Sequence, residues 1–138
     1  MSTVTARIER SPYETHLSTD TNVIVADEPE EVGGGNRGMK PGDLLAGALG
    51  ACTVMTLRMY ADRKGWPLDA AVAHVDWERD PDCGEAVDGP CSQFTVRLVL
   101  TGNLTDEQRD RLREIADRCP IHRTLEQPIV IKTTLSEP

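Results

Sequence analysis

Apolar and polar side chains alternate from the start of the chain, with Val4, Ala6 and Ile8 on one face and Thr5, Arg7 and Glu9 on the other. That is the period of a half-buried strand. Ser11-Pro12 breaks the run, Tyr13, Thr15 and Leu17 resume it, and Asn22 to Ala26 reads as a third short strand, so this stretch predicts a hairpin or meander. DEPEEVGGGNRGMK follows, where acidic residues and three consecutive glycines exclude regular structure and predict a loop of the kind that borders sites. Pro41 suits the first position of a helix and Asp43 its first turn, while Gly65 and Pro67 stop it, which predicts a helix over about residues 41–64. Between Leu44 and Cys52 it carries no polar side chain at all, so this half has to be enclosed on nearly all sides.

Strict alternation returns with Ala71, Ala73, Val75 and Trp77 against His74, Asp76 and Glu78, and again with Phe94, Val96, Leu98 and Leu100 against Thr95 and Arg97. Two half-buried antiparallel strands follow, joined by the polar loop DPDCGEAVDGPC. Thr105 and Gln108 form a capping box that opens a helix with apolar positions Leu112, Ile115 and Ala116. Pro120 cannot continue that helix and suits the start of another, which places Cys119 at a cap. Ile129, Ile131, Thr133 and Leu135 predict a last strand. The order strands, helix, strands, helices, strand predicts an α+β fold, and 138 residues suffice for one domain over 1–138 and not for two.

A net charge of −8 with no long basic run argues against nucleic acid as a partner. No apolar stretch is read as reaching the roughly 20 residues that span a bilayer, and the first residues lack the apolar centre of a signal peptide. A soluble, cytoplasmic protein with no membrane partner is expected. In that compartment the four cysteines are not a disulfide scaffold.

A cysteine within an apolar helix ordinarily only packs. Here Cys52 has a counterpart in Cys119, followed closely by Pro120, His122 and Arg123, and the two together suggest a pair that does thiol chemistry. Cys83 and Cys91 flank a seven-residue loop, a span that permits a disulfide or half of a metal site; with no second cysteine pair or histidine pair nearby, the expectation is an exposed hairpin tip with reducible thiols and no metal. His16 and His74 stand in strands without partners and read as structural. Asp27 and Glu28 are adjacent on extended chain and point opposite ways, so they make no acid/base dyad.

VADEPEEVGGG, the helix start from Pro41 to Leu45, GALGACT, YADRKGWPL and RCPIHRTL occur in order between about Val25 and Leu135. Together they resemble the OsmC/Ohr family of thiol-dependent peroxide reductases, and the DEP and GGG loop resembles its OsmC-like branch more than typical Ohr enzymes. The resemblance implies an intertwined homodimer with antiparallel sheets around long central helices and two active sites at the interface. It implies reduction of organic hydroperoxides by a peroxidatic and a resolving cysteine in oxidative-stress defence, with no cofactor and with an external dithiol, such as a lipoyl or small-molecule dithiol, as reductant. By position, Cys52 is then the peroxidatic thiol and Cys119 the resolving one.

The family's glutamate, directly after the helix-opening proline, pairs with an arginine against the peroxidatic sulfur; this chain has Gly42 there, with Asp43 next. Asp43 is nine residues before Cys52, about 900° round the helix and half a turn out of phase, so it does not replace that glutamate. For the arginine the candidates are Arg37, then Arg10, then Arg7, each also readable as a solvated surface charge. His122 and Arg123 are placed to lower the pKa of Cys119 or to orient a substrate, or else form a plain surface pair. Leu49, Met55, Met59 and Trp66 are the candidate apolar surface around Cys52, favouring an alkyl hydroperoxide over hydrogen peroxide. The competing reading is a non-enzymatic dimer of the same fold whose interface pocket binds a small apolar ligand.

Overall fold

In the computed structural model of the chain, which describes residues 2–83 and 89–138, the N-terminal alternation folds as three short antiparallel strands. They are β1 (Thr5–Ile8), β2 (Thr15–Ser18) and β3 (Val23–Ala26), in that order across the sheet, with Arg7 opposite His16 and His16 opposite Val25. Residues 1–47 form one compact unit and 48–138 a second.

In the first unit the DEP and GGG loop is held by a carboxylate. The Asp27 side chain is buried and accepts the backbone N–H groups of Glu28 at 2.8 Å and Arg37 at 3.0 Å. The Arg37 N–H is the leading reason the Asp27 carboxyl lies below its ordinary value of 3.8. A pKa so depressed stabilises the loop above that value and ceases to do so as the carboxylate is protonated in acid. Between these anchors the chain makes a 3-10 turn, Glu30–Val32, closed by Gly33 at φ 94°. At Gly34 a side-chain carbon would fall on the Glu28 carbonyl, so only glycine fits. The loop returns through a parallel bridge between Ala26 and Met39.

The long helix α1 (Pro41–Lys64) has the predicted bounds. Its later turns belong to the second unit with β4 (Ala70–Asp80), β5 (Cys91–Thr101), α2 (Asp106–Ala116) and α3 (Pro120–Glu126). β4 and β5 pair along all their length, from Ala70 opposite Thr101 to Asp80 opposite Cys91, and the predicted alternation of half-buried and exposed positions holds on both. Positions 84–88 of the connecting loop lie outside the described residues.

Leu57 and Ala61 of α1 pack with Leu68 and with Leu112, Ile115 and Ala116 of α2, and Ala71, Leu98 and Leu100 of the hairpin close the cluster. Leu57 and Leu112 are fully buried; side chains of that size contribute about 1.5–3 kcal/mol each when taken out of water. The capping box is present, with the Gln108 N–H on Thr105 Oγ1 at 3.1 Å and the Thr105 N–H on Gln108 Oε1 at 3.0 Å. Two arginines strap helices to strand ends. Arg58 donates to the Leu68 carbonyl at 2.7 Å, and Arg109 to those of Leu100 at 2.8 Å and Gly102 at 3.1 Å.

Two expectations are corrected. Residues 128–138 form no strand, and Val130, Ile131 and Leu135 stand almost fully exposed. An alternating segment becomes a strand only beside a sheet edge that takes its backbone hydrogen bonds. α1 is, by length and composition, apolar enough to cross a bilayer, contrary to the reading that no stretch reaches that length; it nevertheless buries Leu57 and Ala61 in the chain's own core. The apolar half of α1 is left partly open by its own chain, with Leu45 and, further on, Met55 and Met59 exposed; the expectation of a homodimer assigns that cover to a second copy.

Candidate active site

Cys52 lies one turn after Leu49 on a part of α1 that approaches β4 closely. A side-chain carbon at Gly50 would meet Val75 Cγ2 at 3.2 Å, so the glycine permits the approach. Cys119 is fully buried at the junction of α2 and α3. Pro120 begins α3 as its residue type predicts, and Cys119 is the N-cap, its Sγ accepting the His122 N–H at 3.3 Å. Both cysteines are free, and Cys119 is near enough to Cys52 to act on its thiol.

Burial pushes the Cys52 thiol above its ordinary value of 9.0, and the neighbouring Cys119, by hydrogen bond and by charge, pushes it the same way. Against them act the Ile121 backbone N–H and the Thr56 hydroxyl, which also donates to the Cys52 carbonyl at 2.8 Å. The balance keeps Cys52 protonated at neutral pH. Two thiols in such reach can join as a disulfide after small local movement once either is oxidised.

A cavity of about 510 Å³ is lined by Leu49, one turn before Cys52, and by His122, whose N–H caps Cys119, but by neither cysteine of the pair. Leu49, Phe94, Val96 and Leu125 give it apolar walls, and Asp80, Asp82, His122 and Glu126 polar ones. The His122 ring is held by Glu126 at 3.0 Å and approaches Asp117 at 3.9 Å, so its backbone serves Cys119 while its side chain faces carboxylates. Cys83 and Cys91 also line this cavity, joined as a disulfide where reducible thiols at an exposed tip are expected, and both are half-buried. Among the described residues no cluster of histidine, cysteine and carboxylate suits a metal ion.

Of the other sequence candidates, Leu49 lines the cavity and Met55, Met59 and Trp66 do not. Met59 is seven residues beyond Cys52, about 700° and so nearly on the same stripe, but that stripe opens outward and both methionines are exposed. Trp66 is taken up by an edge-on contact with Tyr60, whose hydroxyl accepts from Arg111 Nε at 3.1 Å. Arg7, Arg10, Arg37 and Asp43 lie in the first unit. Arg7 pairs with Glu9 at 2.7 Å in solvent, Arg10 is exposed, and Arg37 is exposed while its backbone holds Asp27. The Arg123 N–H donates to the Cys119 carbonyl at 3.2 Å. Sequence reasoning missed Thr56 and Ile121. Thr56 was within its reach, being one turn from Cys52 on a predicted helix; Ile121 acts through its backbone and leaves no signal in residue type.

The family described as OsmC-like protein matches residues 33–134, most of the chain and all of the segment that carries both free cysteines. The chain belongs to the OsmC-like family. Its fold is similar to that of the OsmC-like protein from Mycoplasma pneumoniae, with a TM-score of 0.73 at 19% identity over 91% of this chain and 87% of that one. A putative osmotic stress induced and detoxification response protein from Psychrobacter arcticus 273-4 gives 0.72 at 19% identity, over 90% and 88%. The organic hydroperoxide resistance protein OhrB of Bacillus subtilis gives 0.59 at 22% identity, over 90% and 89%. No curated relative matches the chain's sequence. The α+β OsmC-like fold expected from the sequence is therefore the fold of this chain.

Proposed function

We propose that this OsmC-like protein is a thiol peroxidase for organic hydroperoxides, with Cys52 as the peroxidatic and Cys119 as the resolving cysteine. The observation that carries this reading is that two free thiols, 67 residues apart in sequence, are brought near enough for Cys119 to act on the Cys52 thiol. The Cys52 thiolate attacks the outer peroxide oxygen and the O–O bond breaks. The alcohol leaves with a proton, and Cys52 becomes a sulfenic acid. Cys119 attacks that sulfur, water leaves, and the disulfide forms; an external dithiol returns two electrons and two protons. The apolar walls of the neighbouring cavity favour an alkyl hydroperoxide over hydrogen peroxide.

The working unit in this reading is a homodimer. Leu45, Met55 and Met59 on α1, and Ile129, Val130 and Ile131 in the C-terminal segment, are exposed, and a second copy is the simplest cover for them. Light scattering at micromolar concentration should return twice the 15.2 kDa chain mass; a monomer would remove the dimer from the proposal.

Gly42, in place of the family's glutamate, and the raised Cys52 pKa favour the second reading, a dimer that binds a small apolar ligand without turnover. The deciding experiment is consumption of cumene hydroperoxide by the wild-type protein with dithiothreitol, with mass analysis of Cys52. Peroxide-dependent oxidation of Cys52 and continuing turnover are expected. No consumption together with an unmodified Cys52 would put the ligand-binding reading in its place.

A further inference from the structure

We propose that Cys83 and Cys91 are a second, reversible dithiol–disulfide site, open to small thiols through the cavity that both line. Neither cysteine takes part in the peroxide chemistry proposed above, and this inference stands on the hairpin and the cavity rather than on that chemistry.

The pair is placed to bond, with Cα atoms 6.1 Å apart, inside the usual range of about 4.4–6.8 Å. The fold does not depend on it. Cys91 opens β5 opposite Asp80, and the whole ladder from that pair back to Ala70 and Thr101 is hydrogen-bonded without help from sulfur. A disulfide constrains mainly the unfolded chain, and here it crosses just beyond strand ends that the ladder already holds together in the native state. What distinguishes the bond is where it faces. Both cysteines are half-buried and line the cavity, so a small thiol has a route to their sulfurs that a disulfide sealed in a core lacks.

The exchange itself is balanced by an external dithiol. Its thiolate attacks one cysteine sulfur and displaces the other as a thiolate, which takes up a proton. The reductant's second thiol then closes on the mixed disulfide, so the reductant leaves as a cyclic disulfide and both cysteines become thiols. A small-molecule disulfide such as oxidised glutathione reverses the step.

The test is made on the native full chain. Oxidised protein is treated with millimolar dithiothreitol without denaturant, thiols are trapped with N-ethylmaleimide at intervals, and peptides carrying Cys83, Cys91, Cys52 and Cys119 are mapped separately. Both Cys83 and Cys91 should become labelled while the circular dichroism spectrum is unchanged, and the bond should return on adding oxidised glutathione. Labelling only after unfolding, or thiols that fail to pair again, would overturn the reversible site. These measurements use no peroxide, so failure of the peroxidase reading, seen as an unmodified Cys52, is distinct from failure here.

Discussion

Cys52→Ser is expected to lower turnover of cumene hydroperoxide by at least about a thousandfold, because a serine hydroxyl at neutral pH is not a nucleophile of thiolate strength. The substitution is close to isosteric at a half-buried position, so the folding midpoint should move little and the loss should be chemical. The wild-type rate carries a second signature. Burial and Cys119 hold the Cys52 pKa above 9.0, so the reactive thiolate is the minor form at neutrality. The first oxidation, followed by stopped flow, should then quicken by about tenfold for each pH unit between neutrality and that pKa. A rate that is flat with pH across this interval would mean that a positive group outside this chain's second unit, such as Arg37 or a residue of another copy, lowers the pKa in the working enzyme. A Cys52→Ser protein that still turns over peroxide would sink the assignment outright.

Cys119→Ser should act differently, permitting one oxidation and then stopping. Without the sulfur whose reach to Cys52 defines the site, the sulfenic acid has no thiol to condense with. One equivalent of peroxide should give a Cys52 peptide heavier by one oxygen, and excess should carry it to sulfinic acid, with steady turnover by dithiothreitol strongly reduced. The substitution has a structural side as well. Cys119 is fully buried and caps α3, and the serine hydroxyl can still accept the His122 N–H, so the cap survives with a stronger acceptor. Turnover equal to wild type would show that another group, or the external thiol itself, resolves the sulfenic acid.

Local rules made much of this legible from the sequence. The bounds of α1 follow from Pro41, Asp43 and Gly65, and the capping box at Thr105 and Gln108 is present as written. Alternation placed Trp77 and Phe94 on the half-buried face of their strands, and in the structure they stack with ring centroids 5.8 Å apart. These depend on dihedral preference and side-chain period, which act between residues a few positions apart. The same reasoning failed where a segment's fate depends on a distant partner. Ile129 to Leu135 has the period of a strand but pairs with no sheet edge among the described residues, and composition cannot say what covers the exposed side of α1.

The site divides along the same line. By itself the sequence determined which sulfurs are candidates, that Cys119 stands where one helix must end and another begin, and that the family's glutamate is replaced by Gly42. Only the tertiary structure decided that Cys119 and the Ile121 backbone come near enough to act on the Cys52 thiol, and that Cys83 and Cys91 are joined where they line a cavity. It also shows Met55 and Met59 exposed and Trp66 in edge-on contact with Tyr60, while Leu49 lines the cavity. Contacts of this kind depend on how α1, α2, α3 and the β4–β5 hairpin pack, and packing sums many weak, non-directional contacts between positions far apart in the chain.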